Sequence, residues 1–170
     1  MYYQFLTEDR SGEALIEIVM EKIKQTYPDL IYRIKPFGGI GHFPKGNTAK
    51  EIKTKKLLNS LPTYLRGFDK SLQNISAVIV VVLDNDDRDA AEFQKELENV
   101  AMQHMIAIDH VFCLAIEEIE AWLLGDEDAV RAAYPQARLS ALHSYRQDSI
   151  CGTWETLADA VYKGGRQKMK

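Results

Sequence analysis

The apolar positions of this chain change period several times, and the changes mark its elements. Ala77-Val-Ile-Val-Val-Val-Leu83 is a continuous, mostly β-branched run of strand length, the kind buried on both faces of a parallel sheet. Shorter apolar runs predict strands at Tyr2–Thr7, Leu30–Ile34 and His110–Ile116. Elsewhere the period lengthens to three or four. Leu15, Ile16, Val19, Met20 and Ile23 predict a helix over Gly12–Thr26, ended by Tyr27-Pro28-Asp29, and Phe93, Leu97 and Val100 predict another over Arg88–Met102. Ala49–Leu58, capped by Thr48, and Thr63–Lys70 read as two basic helices. Glu117–Leu124 reads as a short one with Ile119, Trp122 and Leu123 as its core stripe. Ala129–Tyr134, a break at Pro135 and Thr153–Tyr162 follow, and the basic tail Lys163–Lys170 carries no packing signal and is expected to fray. Alternating strand and helix predicts an α/β fold, Rossmann-like and three-layered, around a mostly parallel sheet of about four strands. One domain is expected over 1–170, with its core in 1–126 and a helical extension in 127–170.

Composition adds little to this picture. With 170 residues, 46% hydrophobic and 27% charged, 10 Gly and 5 Pro, the chain is neither disordered nor fibrous. No apolar run approaches the roughly 20 residues that span a bilayer, and the N-terminus has no basic flank of a secretory signal, so the expected compartment is the cytoplasm, with no membrane partner. Cys113 and Cys151 are far apart and lack CxxC spacing, so neither a disulfide nor a zinc site is expected.

Charge changes the picture more. Residues 33–70 hold nine basic side chains against Glu51 and Asp69, a balance of +7, while 84–128 hold fourteen carboxylates against Arg88 and Lys95, a balance of −12. A basic flank beside an acidic centre suits a polyanion next to a divalent metal; it also suits ordinary solvated helices. Within the flank, Lys45, Lys53, Lys55 and Lys56 are the candidate contacts to nucleic acid.

In open parallel sheets ligands bind at the carboxyl ends of the strands. Strand one runs into Glu8-Asp9, strand three into Asp84-Asn-Asp86-Asp87, and strand four into Glu117-Glu118 with Glu120 one turn on. Carboxylates delivered to one edge repel unless a hard cation such as Mg²⁺ or Mn²⁺ sits among them. Asp84-x-Asp86 can flank one oxygen-coordinated ion, although Asp86 or Asp87 can equally cap the next helix. Glu117 and Glu120, three apart, are expected on one helical face. Gly41-x-x-x-x-Gly46-Asn47-Thr48 nearly spells a phosphate loop but has Asn47 where the lysine belongs, which excludes the usual nucleotide hydrolysis. His42, His104, His110 and His143 share no ligand spacing.

Three segments together carry a family resemblance: Thr7-Glu8-Asp-Arg-Ser-Gly-Glu13, Val82-Leu-Asp84-Asn-Asp86-Asp-Arg-Asp89 and Ala115-Ile-Glu-Glu-Ile-Glu120-Ala-Trp-Leu-Leu-Gly-Asp126. With the Ile34-Lys-Pro-Phe-Gly-Gly loop and Leu61-Pro-Thr-Tyr-Leu65, they span most of residues 1–130. The chain resembles the TOPRIM domain of topoisomerases, primases and the overcoming-lysogenisation-defect nucleases. It more closely resembles a bacterial family of stand-alone TOPRIM-like proteins of unknown function, associated with phage or plasmid conflict beside an ATPase. The resemblance implies Asp84 and Asp86 as Mg²⁺ ligands, Glu8 as ligand or general acid/base and Glu120 as a further acidic ligand. Lys163 or Arg166 would be the late basic residue. Asp9 replaces the glycine of the family's Glu-Gly pair, so Glu8 and Glu13 both stand for its acid. The expectation is a Mg²⁺-dependent phosphodiester-cleaving domain acting on DNA or RNA. The alternative is a non-catalytic metal- or nucleotide-binding module working with a partner ATPase.

Overall fold

The computed structural model describes residues 1–44, 55–149 and 152–168. Lys45, Lys53, Cys151 and the Gly46-Asn47-Thr48 end of the phosphate-loop-like string lie outside them. The chain divides into two compact units, one of residues 1–83 and 91–114, the other of residues 84–90 and 115–170.

The first unit is built on β1 (Tyr2–Thr7), α1 (Arg10–Lys24), β2 (Ile31–Pro36), α2 (Leu57–Leu72), β3 (Ala77–Asp84), α3 (Ala90–Gln103) and β4 (Asp109–Ala115). The strands form a four-stranded, all-parallel sheet in the order β2-β1-β3-β4, flanked by helices, so the expected Rossmann-like α/β architecture is borne out. Phe5 stands opposite Ile34 on one side and Val80 on the other, and Thr7 opposite Pro36 and Val82. Because successive side chains point to opposite faces, Leu6, Ile79, Val81, Leu83 and Phe112 share one face. There they meet Leu57, Leu61 and Leu65 of α2 and Phe93, Leu97 and Ala101 of α3, two helical stripes of spacing four. Right-handed crossovers put α1 on the other face, because β1 to β2 moves across the sheet in the opposite sense to β3 to β4. α1 packs on β1 and β2, burying Gly12, Ile16 and Met20. Asp9 caps it, its Oδ1 accepting from Gly12 N at 3.0 Å, and Lys22 and Lys24 suit the negative end of its dipole.

The predicted helix over Thr63–Lys70 is part of a longer one, while most of the predicted Ala49–Leu58 lies outside the described residues. α2 begins at Leu57 and runs through Pro62 to Leu72. Burial of seven residues, Leu57 to Pro62 and Leu65, outweighs the helix-breaking tendency of the proline, whose missing N–H costs one hydrogen bond near the start of the helix. At its far end Asp69 Oδ1 accepts from Ala107 N and Ile108 N at 2.9 and 2.8 Å, tying α2 to the turn before β4.

The second unit is helical, with α4 (Glu120–Leu124), α5 (Glu127–Ala133), α6 (Leu139–Ser144), α7 (Thr153–Val161) and a short 3₁₀ segment at Gly165–Lys168. Its core is Leu124, Val130, Leu142 and Ala160, with Tyr145, Leu157 and Val161 packed around them. Two expectations fail here. Trp122 and Leu123 are 40% and 43% exposed, and α4 buries Ala121 and Leu124 instead, because its helix starts three residues later than the apolar spacing suggests. Up to Lys168, where the described residues end, the tail is anchored: Arg166 N donates to Asp159 Oδ1 at 2.9 Å, and its guanidinium pairs with Asp159 Oδ2 at 3.3 Å. Among the described residues no helix is long and apolar enough to cross a membrane.

Candidate functional site

The acidic turns after β3 and β4 belong to the second unit and are tied together by backbone. Asn85 N donates to Ala115 O at 2.9 Å and Asp86 N to Glu117 O at 2.8 Å, making an antiparallel bridge between Asp86 and Glu117. Both bridge residues lie in the left-handed region, Asp86 at φ +50° and Glu117 at φ +67°. Side chains other than glycine adopt that backbone at a cost of roughly 1–2 kcal/mol, so surrounding structure must hold it. Glu117 therefore does not continue into the helix, and the expectation that Glu117 and Glu120 share a helical face is corrected: Glu120 opens α4, and Glu117 stands before it in the bridge.

Four of these acids have partners that the local sequence hides or only hints at. Asp84 Oδ1 accepts from Ile119 N at 2.9 Å and so fixes the segment leading into α4. Asp86 pairs with Arg88 at 2.8 Å rather than capping α3. Glu117, 5% exposed, accepts from the Tyr145 hydroxyl at 3.1 Å. Burial, and then the hydrogen bond to Glu117, push the Tyr145 phenol up to about 12, so it donates throughout the neutral range. Glu118 Oε2 accepts from Thr153 Oγ1 at 2.8 Å and Trp154 N at 3.0 Å, placing a carboxylate on the positive end of α7, whose own cap, Gly152, has no side chain to offer.

Asn85 is a residue the sequence reading passed over. It is 4% exposed; its Nδ2 donates to Arg88 O at 2.6 Å, and its Oδ1 is buried with no hydrogen-bond partner among the described residues. A buried amide oxygen left unmatched costs about 1–3 kcal/mol, so its retention needs a reason. Arg88, two places after Asp86, could have been read as a counter-charge; Tyr145 and Thr153 are too distant in sequence to leave a local signal.

The other candidates lie in the first unit. Glu8 follows Thr7 directly and is half-buried, and its carbonyl accepts from Gly39 N at 2.9 Å. Strand order reverses between β1 and β3, the position where parallel sheets of this kind open a crevice, and Glu8 leaves the sheet there. Glu13 is already in the first turn of α1. Lys55 is exposed with its carbonyl accepting from Gly38 N at 2.9 Å, and the Lys56 ammonium donates to Gly38 O. Gly41, at φ +74°, is needed for close packing: a Cβ there would stand 2.2 Å from Asn59 Oδ1.

Asp84, Asn85 and Glu117 offer hard oxygen donors, which suit Mg²⁺ or Mn²⁺, and the orphaned Asn85 Oδ1 is the observation that favours a cation. Among the described residues no three His, Cys, Asp or Glu side chains gather as a metal-holding group. Mg²⁺ commonly takes only one or two protein carboxylates and completes its shell with water and phosphate oxygens, so donors of this chemistry suit it. In comparisons with known proteins, no family model, no curated protein and no solved structure matches this chain.

Proposed function

We propose that this chain is a Mg²⁺- or Mn²⁺-dependent phosphodiester-cleaving domain acting on DNA or RNA. The observation that carries the reading is the strained acidic bridge of half-buried Asp86 and buried Glu117, with Asn85 Oδ1 left unmatched beside it in sequence. Strained backbone held at the carboxyl ends of strands is a recurrent property of functional sites, and rigid donors bind a cation without reorganising. In this reading Asp84, Asn85 and Glu117 hold the ion. Asp86 contributes its charge against Arg88. When bound, the cation supplies positive charge where negative charge gathers on a phosphodiester. Glu120 is the carboxylate that exchanges a proton with water or leaving group.

A second reading has its own support. Arg88 already engages Asp86, and Thr153 and Trp154 engage Glu118, so much of the acidic charge has structural work to do. That favours a non-catalytic metal- or nucleotide-binding module acting with a partner ATPase.

One experiment separates the two. Purified protein is incubated with plasmid, single-stranded DNA and RNA in Mg²⁺ or Mn²⁺, beside an Asp84→Asn variant whose fold is checked by thermal melting. Cleavage by the wild type, reduced about a hundredfold or more in Asp84→Asn, is the expected result. Equal cleavage by both proteins points to a contaminant and refutes the reading. Absence of cleavage, with Mn²⁺ still raising the melting temperature of the wild type alone, selects the binding module.

A further inference from the structure

The first unit also carries a concentration of positive charge around a cavity. A cavity of about 440 Å³, within the range of small-ligand sites, is lined by Arg10, Lys35, Phe37, Lys55, Ser60 and Tyr64. Lys35 comes from the end of β2, where it stands opposite Leu6, and Arg10 is the first residue of the 15-residue α1. The Lys35 ammonium lies 5.4 Å from the centre of the Phe37 ring and 5.1 Å from that of Tyr64, two rings that themselves meet edge to face. Two aromatic faces thus fix this cation in place while leaving it its full charge.

Among the described residues no carboxylate lies within 4.0 Å of Arg10, Lys35 or Lys55. Nor does any acid among the described residues line the cavity. The nearest in sequence, Asp9, uses Oδ1 to cap α1 through Gly12 N. Three cations around one cavity repel one another unless an anion joins them, and the positive end of α1 adds to the same field. Ser60 and Tyr64 supply hydroxyls of the kind that accompany cations in phosphate sites.

We infer that this cavity is a binding site for a dianionic phosphate monoester, with Lys35 and Arg10 as its principal cations. The site stands whether or not the acidic turns hold a metal. Inorganic phosphate, a free nucleotide and the 5′ end of a nucleic-acid strand share this chemistry, and the test distinguishes them.

Calorimetric titrations in EDTA, which removes any divalent ion, use inorganic phosphate, adenosine 5′-monophosphate and a pair of thymidine oligomers that differ only in a 5′-phosphate. The variants are Lys35→Gln, Arg10→Gln and, as a control, Lys24→Gln, which removes one charge from a lysine that sits over the Tyr32 ring and pairs with Glu21. Thermal melting confirms folding, and Arg10→Gln, at an exposed position, serves if Lys35→Gln does not fold. The wild type is expected to bind a phosphate monoester, losing about tenfold in affinity with Lys35→Gln and with Arg10→Gln and nothing with Lys24→Gln. A preference of about tenfold for the phosphorylated oligomer assigns the site to strand ends, and binding of phosphate or the nucleotide without that preference assigns it to small molecules. Failure of every probe at millimolar concentration, or equal loss in all three variants, overturns the inference.

Discussion

Asp86 gives the cleanest test of whether the acidic bridge is strained. Two variants, Asp86→Gly and Asp86→Ala, lose the same carboxylate and the same pair with Arg88. That pair, with side chains 33% and 37% exposed, is worth about 0.2–1 kcal/mol. Both keep the backbone N–H that donates to Glu117 O. They differ in what φ +50° asks of them. Alanine carries the left-handed penalty of roughly 1–2 kcal/mol, whereas glycine adopts this backbone freely but brings about 0.5–1 kcal/mol of extra freedom to the unfolded chain. Glycine should therefore be more stable than alanine by about 0.5–1 kcal/mol, the reverse of their order in a helix. At about 2–4 °C per kcal/mol for a chain of this size, the two melting temperatures should differ by roughly 1–4 °C. Urea titration followed by circular dichroism measures the difference independently of heat. Alanine equal to or more stable than glycine would show that the turn relaxes without cost and would remove the argument from strain. Glu117 is the poorer test, because its substitution also breaks the bond from Tyr145.

Tyr145→Phe leaves the buried Glu117 carboxylate without this donor and should lower stability by about 1–3 kcal/mol at neutral pH, read by urea titration; no change would mean that the bond does not form in solution. The phenol's raised value, about 12 against an ordinary 10, stabilises the fold fully below pH 10 and is lost as pH rises toward 12. Wild-type stability should therefore fall more steeply in that window than that of Tyr145→Phe. Both proteins should carry Tyr32→Phe, since Glu21 raises Tyr32 to about 12 as well. Gly165→Ala should cost at least about 1 kcal/mol, because Gly165 sits at φ +60° and an added Cβ would lie 2.2 Å from Asp159 Oδ1; an unchanged melting curve would refute the anchoring of the tail.

What the sequence disclosed and what it hid divide along a physical line. β3 was legible because seven consecutive apolar residues have no exposed alternative, and α1 and α3 because one face of each repeats every three to four residues. The gap expected between Leu58 and Thr63 is helical, because the buried leucines on either side of Pro62 outweigh the helix-breaking tendency of a proline. Glu117 misled more deeply. Nothing in Ile116-Glu117-Glu118 announces a left-handed residue, since the partner that holds it there, Asp86, stands on another turn. The same reasoning governs the acids as a group. Their number was plain from composition, but whether a carboxylate serves a ligand or the fold depends on its partners, and Ile119 N, Tyr145, Thr153 and Trp154 are not neighbours in sequence of the acids they engage. An excess of negative charge is therefore weak evidence for a metal by itself. A buried acceptor with its lone pairs unmatched is stronger evidence, because desolvating it has a cost that no backbone bond offsets, and here that atom is the amide oxygen of Asn85, a neutral residue that a count of charges passes over.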